Sequence, residues 1–107
     1  MFYTYICTNK PHGTLYTGHT DDLSARVEQH KQKIFDGFTA KYGCDKLVWF
    51  KEYHTREDAF RKERQIKKWK RVYKLNVIEL FNPFWIDIHE QPAWPPINGH
   101  LPLPPNL

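Results

Sequence analysis

The sequence predicts an α+β domain with the element order β-β-α-β-α-α, followed by an extended, proline-rich C-terminal tail. Two observations support this: aromatic and β-branched runs flank a short loop near the N-terminus, and helical and strand-like segments alternate after them. Seven of the eight prolines lie beyond residue 82, a density that no helix tolerates. We assign residues 1–86 to one domain and 87–107 to the tail, which is either a free terminus, the favoured interpretation, or a ligand for a protein partner.

The first predicted element is a β-hairpin. The runs Phe2–Thr8 and Thr14–Thr17 are rich in strand-forming residues, and the loop between them contains proline and glycine. The hairpin places Tyr5 and Tyr16 on neighbouring strands, where we expect the two phenols to face each other. Taken alone, they are either a packed cross-strand aromatic pair, which is the commoner arrangement, or part of a site.

A helix follows the hairpin. Thr20 is predicted as its N-cap, and two acidic residues follow in the first turn. Apolar residues then recur at helical spacing from Leu23 to Ile34, with His30 in one place of that stripe. Arg26 lies one turn before His30, so both side chains project toward the sheet or its rim. The alternatives are a surface arginine and a buried, hydrogen-bonded histidine.

A third strand and a second helix complete the predicted core. Residues 36–45 are expected to form a loop, Leu47–Tyr53 a strand, and Thr55 the capping residue of the next helix. Glu63 lies within the apolar stripe of that helix, where a carboxylate is costly unless something pairs with it. Arg26 is one candidate partner.

Positive charge is concentrated on this second helix and on a third one predicted over Val72–Leu80. Residues 1–80 carry a net charge of +6 (16 basic minus 10 acidic residues), and the remainder carries −2. This asymmetry favours nucleic acid as a partner, with a merely solvated charged face as the alternative. The predicted nucleic-acid-binding residues are Lys67, Lys68, Lys70, Arg71 and Lys74.

The sequence contains no apolar run long enough to span a bilayer and no signal-peptide pattern. Cys7 and Cys44 stand alone without metal-ligand spacing, which favours free thiols in a reducing compartment. We therefore expect a cytoplasmic protein that does not associate with membranes.

Five residues from separate segments together suggest phosphodiester hydrolysis: Tyr5, Tyr16, Arg26, His30 and Glu63. This reaction needs a group that activates water, a positive charge for the developing oxyanions and usually a divalent metal ion. A single carboxylate argues against a two-metal site. A phenol with an ordinary pKa near 10 must also lose about 2–3 pKa units to act as a base near neutrality.

The sequence resembles the GIY-YIG nuclease superfamily. The segments that carry the resemblance are Tyr3–Tyr5 and Tyr16–Gly18 for the two name-giving tripeptides, Thr20–His30 for the arginine motif, and Arg61–Trp69 for the glutamate motif. Gly37–Tyr42 and Asn82–Trp85 are similar to segments of the small stand-alone bacterial members. The first tripeptide, Tyr-Thr-Tyr, lacks the opening glycine and isoleucine of the family pattern but keeps its tyrosine.

The resemblance implies a three-stranded antiparallel sheet flanked by helices. It also implies a DNA endonuclease that uses one Mg²⁺ (or Mn²⁺) ion and no organic cofactor, with a role in DNA repair or turnover. The alternative is a non-catalytic nucleic-acid-binding module that uses the basic helix 61–74.

The resemblance also implies a role for each matching residue. Tyr5 or Tyr16 acts as the general base or orients the water, and Arg26 stabilises the transition state. His30 activates a phenol or contacts phosphate, while Glu63 binds the metal ion. The asparagine found late in the motif set of several members is either Asn76 or Asn82.

Overall fold

The computed structural model describes residues 1–33 and 42–91. These residues form a three-stranded antiparallel sheet with helices on both faces, so the predicted α+β fold and element order are confirmed. The strands are β1 (Phe2–Thr8), β2 (Leu15–Thr20) and β3 (Lys46–Tyr53), in the spatial order β2-β1-β3. The helices are α1 (Leu23–Lys31), α2 (Arg56–Lys68), α3 (Arg71–Phe81) and a short 3₁₀ helix (Ile88–Glu90).

The register of the hairpin places Tyr5 opposite Gly18, and Tyr16 opposite Cys7. The two phenols are therefore diagonal neighbours on one face of the sheet rather than directly opposed, with their ring centroids 6.2 Å apart. Strand β2 begins at Leu15 and runs to Thr20, beyond the predicted end at Thr17.

Alternation along the central strand divides the core into two layers. Tyr5 and Cys7 face the layer that contains α1, whereas Ile6 faces the layer that contains α2 and α3. All three side chains are fully buried. Full burial of a side chain such as Ile6 contributes about 1.5–3 kcal/mol to the free energy of folding. Apolar burial on both faces of the sheet therefore stabilises the packing of the helices against each face.

The start of α1 differs from the prediction. Asp22, not Thr20, caps the helix, because its carboxylate accepts a hydrogen bond from the Ala25 amide at 3.1 Å. Thr20 stays in β2, and its hydroxyl accepts a hydrogen bond from the Asp22 amide at 3.1 Å. At the start of α2, Thr55 is the N-cap as predicted.

The chain after α3 packs back onto the sheet. Ile88 is buried in the α1 layer, and Asp87 accepts hydrogen bonds from the Leu47 amide and from Lys31. The packed body thus runs past residue 86, because residues of the expected tail supply core contacts. Residues 92–107, Ile34 and most of the Gly37–Tyr42 segment lie outside the described residues. Within the described residues, no helix has the length and apolar character needed to cross a bilayer.

Candidate active site

The site is built around Gly18, which lies opposite Tyr5 in the hairpin. A β-carbon at this position would lie 2.7 Å from the Tyr5 hydroxyl oxygen and 3.1 Å from Cε1 of Tyr16. Only glycine therefore lets the two phenols pass over β2 at this distance. Tyr5 is fully buried there, while Tyr16 is partly exposed.

Helix α1 brings His30 onto the two tyrosines. The Tyr5 hydroxyl and Nε2 of His30 are hydrogen-bonded at 2.9 Å. The imidazole centroid lies 5.6 Å from that of Tyr5 and 5.2 Å from that of Tyr16, both in edge-on geometry. The structure thus brings three of the five predicted site residues into one cluster, because the apolar stripe of α1 turns His30 toward the sheet.

Burial raises the pKa of the Tyr5 hydroxyl above its ordinary value of 10.0. Cys7 and Tyr16 raise it further, the Arg26 charge lowers it, and the Glu63 charge raises it. The phenol is consequently protonated at neutral pH. The downward shift that a phenolate base requires is not supplied by the protein at this position.

Burial, followed by the charge of Arg26, lowers the pKa of His30 from 6.5 to about 4. The imidazole is therefore neutral at pH 7, and its hydrogen bond with Tyr5 joins two uncharged groups. The unfolded chain takes up this proton near pH 6.5 and the folded chain only near pH 4. The stability linked to His30 is thus complete above pH 6.5 and is lost as the pH falls toward 4.

Arg26 is partly buried one turn before His30 in α1. It lies on the same side of α1 as His30, and its charge lowers the pKa of both Tyr5 and His30. This is where a positive charge for phosphate oxygens was predicted from the sequence.

Glu63 lies in α2, and only 8% of the residue is exposed. Its Oε1 is 2.9 Å from Nδ1 of His19, and its Oε2 accepts a hydrogen bond from Nζ of Lys67 at 3.2 Å. The pairing that a core-facing carboxylate requires is thus supplied by His19 and Lys67. Sequence reasoning missed His19, although it directly follows Gly18, the last residue of the second tripeptide.

Residues Gly18 and His19 connect the two parts of the site. Consecutive residues of a strand face opposite sides of a sheet, so Gly18 lies against the tyrosines while His19 lies against Glu63. Strand β2 is an edge strand, so the two groups flank one margin of the sheet. The Glu63 charge also reaches the Tyr5 hydroxyl and raises its pKa.

The donor atoms of Glu63 and His19 fit a divalent ion that takes most of its ligands from water and substrate. Within residues 1–33 and 42–91, no group of three or more His, Cys, Asp or Glu side chains is placed to hold a metal ion. Glu63 offers one carboxylate and His19 one imidazole. Mg²⁺ commonly binds one or two carboxylates and completes its shell with water and substrate phosphate, so this sparse set is compatible with it.

The outer surface of α2 carries a groove of about 520 Å³ that combines basic and aromatic side chains. The guanidinium of Arg64 lies 5.7 Å from the ring centroid of Phe60, and Nζ of Lys62 lies 5.2 Å from that of Trp69. Phe60 is 43% exposed. The groove is lined by Glu57, Phe60, Arg61, Arg64, Gln65, Lys68 and Trp69.

The five predicted nucleic-acid-binding residues fall in different surroundings. Lys68 lines the groove, Lys67 binds Glu63, and Lys70 is exposed at the junction of α2 and α3. Arg71 donates hydrogen bonds to two carbonyl oxygens of the β1–β2 loop, each at 2.6 Å, which ties α3 to the hairpin. Lys74 is partly buried in α3.

The two candidate asparagines have different environments. Asn82 is buried, donates to the carbonyls of Val48 and Ile86, and accepts from the Ile86 amide. Its polar atoms are therefore engaged in holding the chain after α3 against β3. Asn76 is exposed on α3, beside Glu79 and Leu80.

The family model for the GIY-YIG catalytic domain matches residues 1–76. This chain belongs to the GIY-YIG family. The match includes both tripeptides, Arg26, His30 and Glu63. Membership assigns the domain to a nuclease-type family, as the sequence motifs predicted.

Similar proteins carry the name UPF0213. UPF0213 proteins of Staphylococcus aureus strains Mu3 and N315 are each 36% identical to this chain over 67 residues, which cover 63% of this chain and 82% of the relative. The solution NMR structure of the UPF0213 protein BH0048 from Bacillus halodurans superposes with a TM-score of 0.51 at 27% identity. That match covers 81% of this chain and 93% of the solved one.

Proposed function

We propose that this GIY-YIG domain is a DNA endonuclease that hydrolyses phosphodiester bonds with one divalent metal ion, in DNA repair or turnover. The observation that carries the proposal is the placement of two clusters along one margin of the sheet. One cluster holds two phenols, a neutral imidazole and a guanidinium, and the other holds a nearly buried carboxylate. Their chemistry matches the requirements of phosphate-ester hydrolysis.

Glu63 would hold Mg²⁺ or Mn²⁺, and the bound ion would polarise the phosphate and lower the pKa of a coordinated water. Lys67 then has to leave the carboxylate, which is feasible because its side chain is 53% exposed. Arg26 stabilises the negative charge that develops on the phosphate oxygens. Water adds its hydroxyl to phosphorus while one phosphorus–oxygen ester bond breaks, and the departing oxygen takes the remaining proton.

The two tyrosines take different roles. Tyr16 is partly exposed, so we assign it to orient the attacking water by accepting a hydrogen bond. Tyr5 is buried and stays protonated, and its hydrogen bond with His30 fixes the imidazole beside Tyr16. Tyr5 is therefore a positioning residue in this proposal, and a metal ion held by Glu63 would supply the activation of water that a phenolate cannot.

The experiment incubates the protein with plasmid, nicked, branched and single-stranded DNA in Mg²⁺, Mn²⁺ or EDTA. We expect cleavage only with a metal ion, a loss of at least about 100-fold in Glu63→Gln, and little change in Glu79→Gln, whose glutamate lies on the exposed side of α3. Tyr16→Phe should lower the maximal rate. Cleavage that persists in EDTA, or that is equal in the two glutamate variants, would refute the proposal.

A non-catalytic nucleic-acid-binding module is the second candidate, and the aromatic and basic groove on α2 favours it. Aromatic side chains stack on bases, while Arg61, Arg64 and Lys68 complement phosphate charge. In this case binding should be salt-sensitive and should weaken when Lys67, Lys68 and Arg71 are replaced together. Glu63→Gln would then bind DNA as the parent does, and no DNA would be cut.

A further inference from the structure

We propose that His19 is a second protein ligand of the divalent ion, beside Glu63, and that its imidazole makes the site prefer Mn²⁺ to Mg²⁺. This inference deepens the proposed function and rests on its metal site. Three features of the described residues support it: the separation of the two donor atoms, the packing that fixes the imidazole, and the chemistry of a nitrogen ligand.

The first feature is geometric. Nδ1 of His19 and Oε1 of Glu63 are 2.9 Å apart. Two ligands that each lie about 2.1 Å from an octahedral ion at right angles to one another are about 3.0 Å apart. An ion can therefore replace the proton shared by the two groups without a change in their separation.

The second feature is the packing around the imidazole. The ring of Phe60 lies against His19, with the centroids 5.2 Å apart, and β2 fixes the backbone of His19. The side chains of His19 and Glu63 are only 22% and 11% exposed. Both donor atoms are thus held in place before the ion binds, which lowers the ordering cost of binding.

The competing cation is Lys67, which binds the other carboxylate oxygen, Oε2 of Glu63, at 3.2 Å. The lysine lies one turn along α2, and its side chain is half exposed. Its ammonium can move into solvent when an ion arrives, because the lysine end of the pair is exposed even though the carboxylate is nearly buried. His19, in contrast, keeps its position.

The third feature is ligand preference. Mg²⁺ and Mn²⁺ both favour oxygen ligands, but Mn²⁺ is the softer ion and accepts an imidazole nitrogen more readily than Mg²⁺ does. A site with one carboxylate and one imidazole should therefore bind Mn²⁺ more tightly than Mg²⁺. Removing the nitrogen should weaken Mn²⁺ binding far more than Mg²⁺ binding.

The test measures ion binding to the full chain without DNA. Electron paramagnetic resonance reports free Mn²⁺, and Mg²⁺ affinity follows from displacement of Mn²⁺. We expect His19→Ala to raise the Kd for Mn²⁺ by about tenfold and that for Mg²⁺ by less than about twofold. The control is His54→Ala, which removes an exposed histidine before α2 and should change neither constant.

Two results would overturn the inference. Equal weakening for both ions in His19→Ala would make His19 only an orienting partner of Glu63, and unchanged Mn²⁺ binding would remove it from the site. Thermal unfolding of His19→Ala checks its fold, and His19→Gln provides a second variant that keeps a polar side chain of similar reach.

Nuclear magnetic resonance identifies the ligating nitrogen. Nδ1 is bonded to the carbon that carries Hε1 but not to the carbon that carries Hδ2, so Mn²⁺ on Nδ1 should broaden the Hε1 resonance of His19 more strongly. Equal broadening of the two resonances would contradict ligation through Nδ1. Since no DNA is present, a protein that binds Mn²⁺ in this way yet cuts no DNA would retain this inference and lose the nuclease function.

Discussion

Replacing Gly18 with alanine is the most direct perturbation of the tyrosine cluster. The added β-carbon would lie 2.7 Å from the Tyr5 hydroxyl oxygen, 2.8 Å from its Cζ and 3.1 Å from Cε1 of Tyr16. Ordinary carbon contacts are about 3.5–4.0 Å, so Tyr5 has to move by nearly 1 Å. Its hydrogen bond with His30, now 2.9 Å, cannot survive that movement unchanged.

We expect Gly18→Ala to lower the free energy of unfolding by about 1–3 kcal/mol, the usual cost of overpacking a core. DNA cleavage should fall by about 100-fold, since a displacement of about 1 Å in a catalytic arrangement has an effect of this size. Denaturant titration gives the first quantity, and initial rates on plasmid DNA with Mn²⁺ give the second.

Gly43→Ala is the matched control. Gly43 has a φ of +65°, but an added β-carbon there meets nothing within 4 Å. Backbone strain should cost about 1 kcal/mol without disturbing the tyrosines. If both alanine variants cleave DNA equally well, the close packing at Gly18 has no part in the site and this reasoning is refuted.

Three further predictions concern other parts of the molecule. Between pH 6.5 and 4.5 the free energy of unfolding should fall by about 2–3 kcal/mol, because the unfolded chain protonates His30 in this range and the folded chain does not. A His30→Gln variant that loses as much stability over this range in urea titrations would contradict the lowered pKa of His30. Lys68→Ala should reduce the slope of log K for DNA binding against log salt concentration by about one unit, whereas Arg71→Ala should chiefly lower the free energy of unfolding, by about 1 kcal/mol. Fluorescence titrations at several salt concentrations measure the first effect, and thermal unfolding measures the second. The reverse pattern would contradict the groove as the binding surface. Asn82→Ala should lower the free energy of unfolding by about 2–4 kcal/mol, because a buried side chain loses three hydrogen bonds, and Asn76→Ala by less than about 0.5 kcal/mol. Equal values in urea denaturation would be inconsistent with the environments of the two side chains.

The fold was predictable because its signals are local. The strands of the hairpin follow from aromatic and β-branched runs, and the third helix, predicted over Val72–Leu80, is observed at Arg71–Phe81. The N-cap of α1 was placed wrongly at Thr20, because both Thr20 and Asp22 are good caps and only the strand pairing of Thr20 decides between them.

The site was predictable only in part. The family pattern selected Tyr5, Tyr16, Arg26, His30 and Glu63, and their roles remain predictions. The contact between His19 and Glu63 joins residues 44 positions apart, and the residue pattern of neither segment predicts it. The protonated state of Tyr5 likewise depends on burial between two elements, which a sequence does not quantify.

The central claim is that a metal ion at Glu63 and the guanidinium of Arg26 act on the same phosphate. Anomalous scattering from Mn²⁺ in crystals of the protein with an uncleavable phosphorothioate DNA tests it most directly. We expect the Mn²⁺ peak about 2.1–2.3 Å from a Glu63 carboxylate oxygen, with one phosphate of the DNA between the ion and Arg26. A peak remote from Glu63, or a DNA strand bound only along the outer groove of α2, would contradict the account.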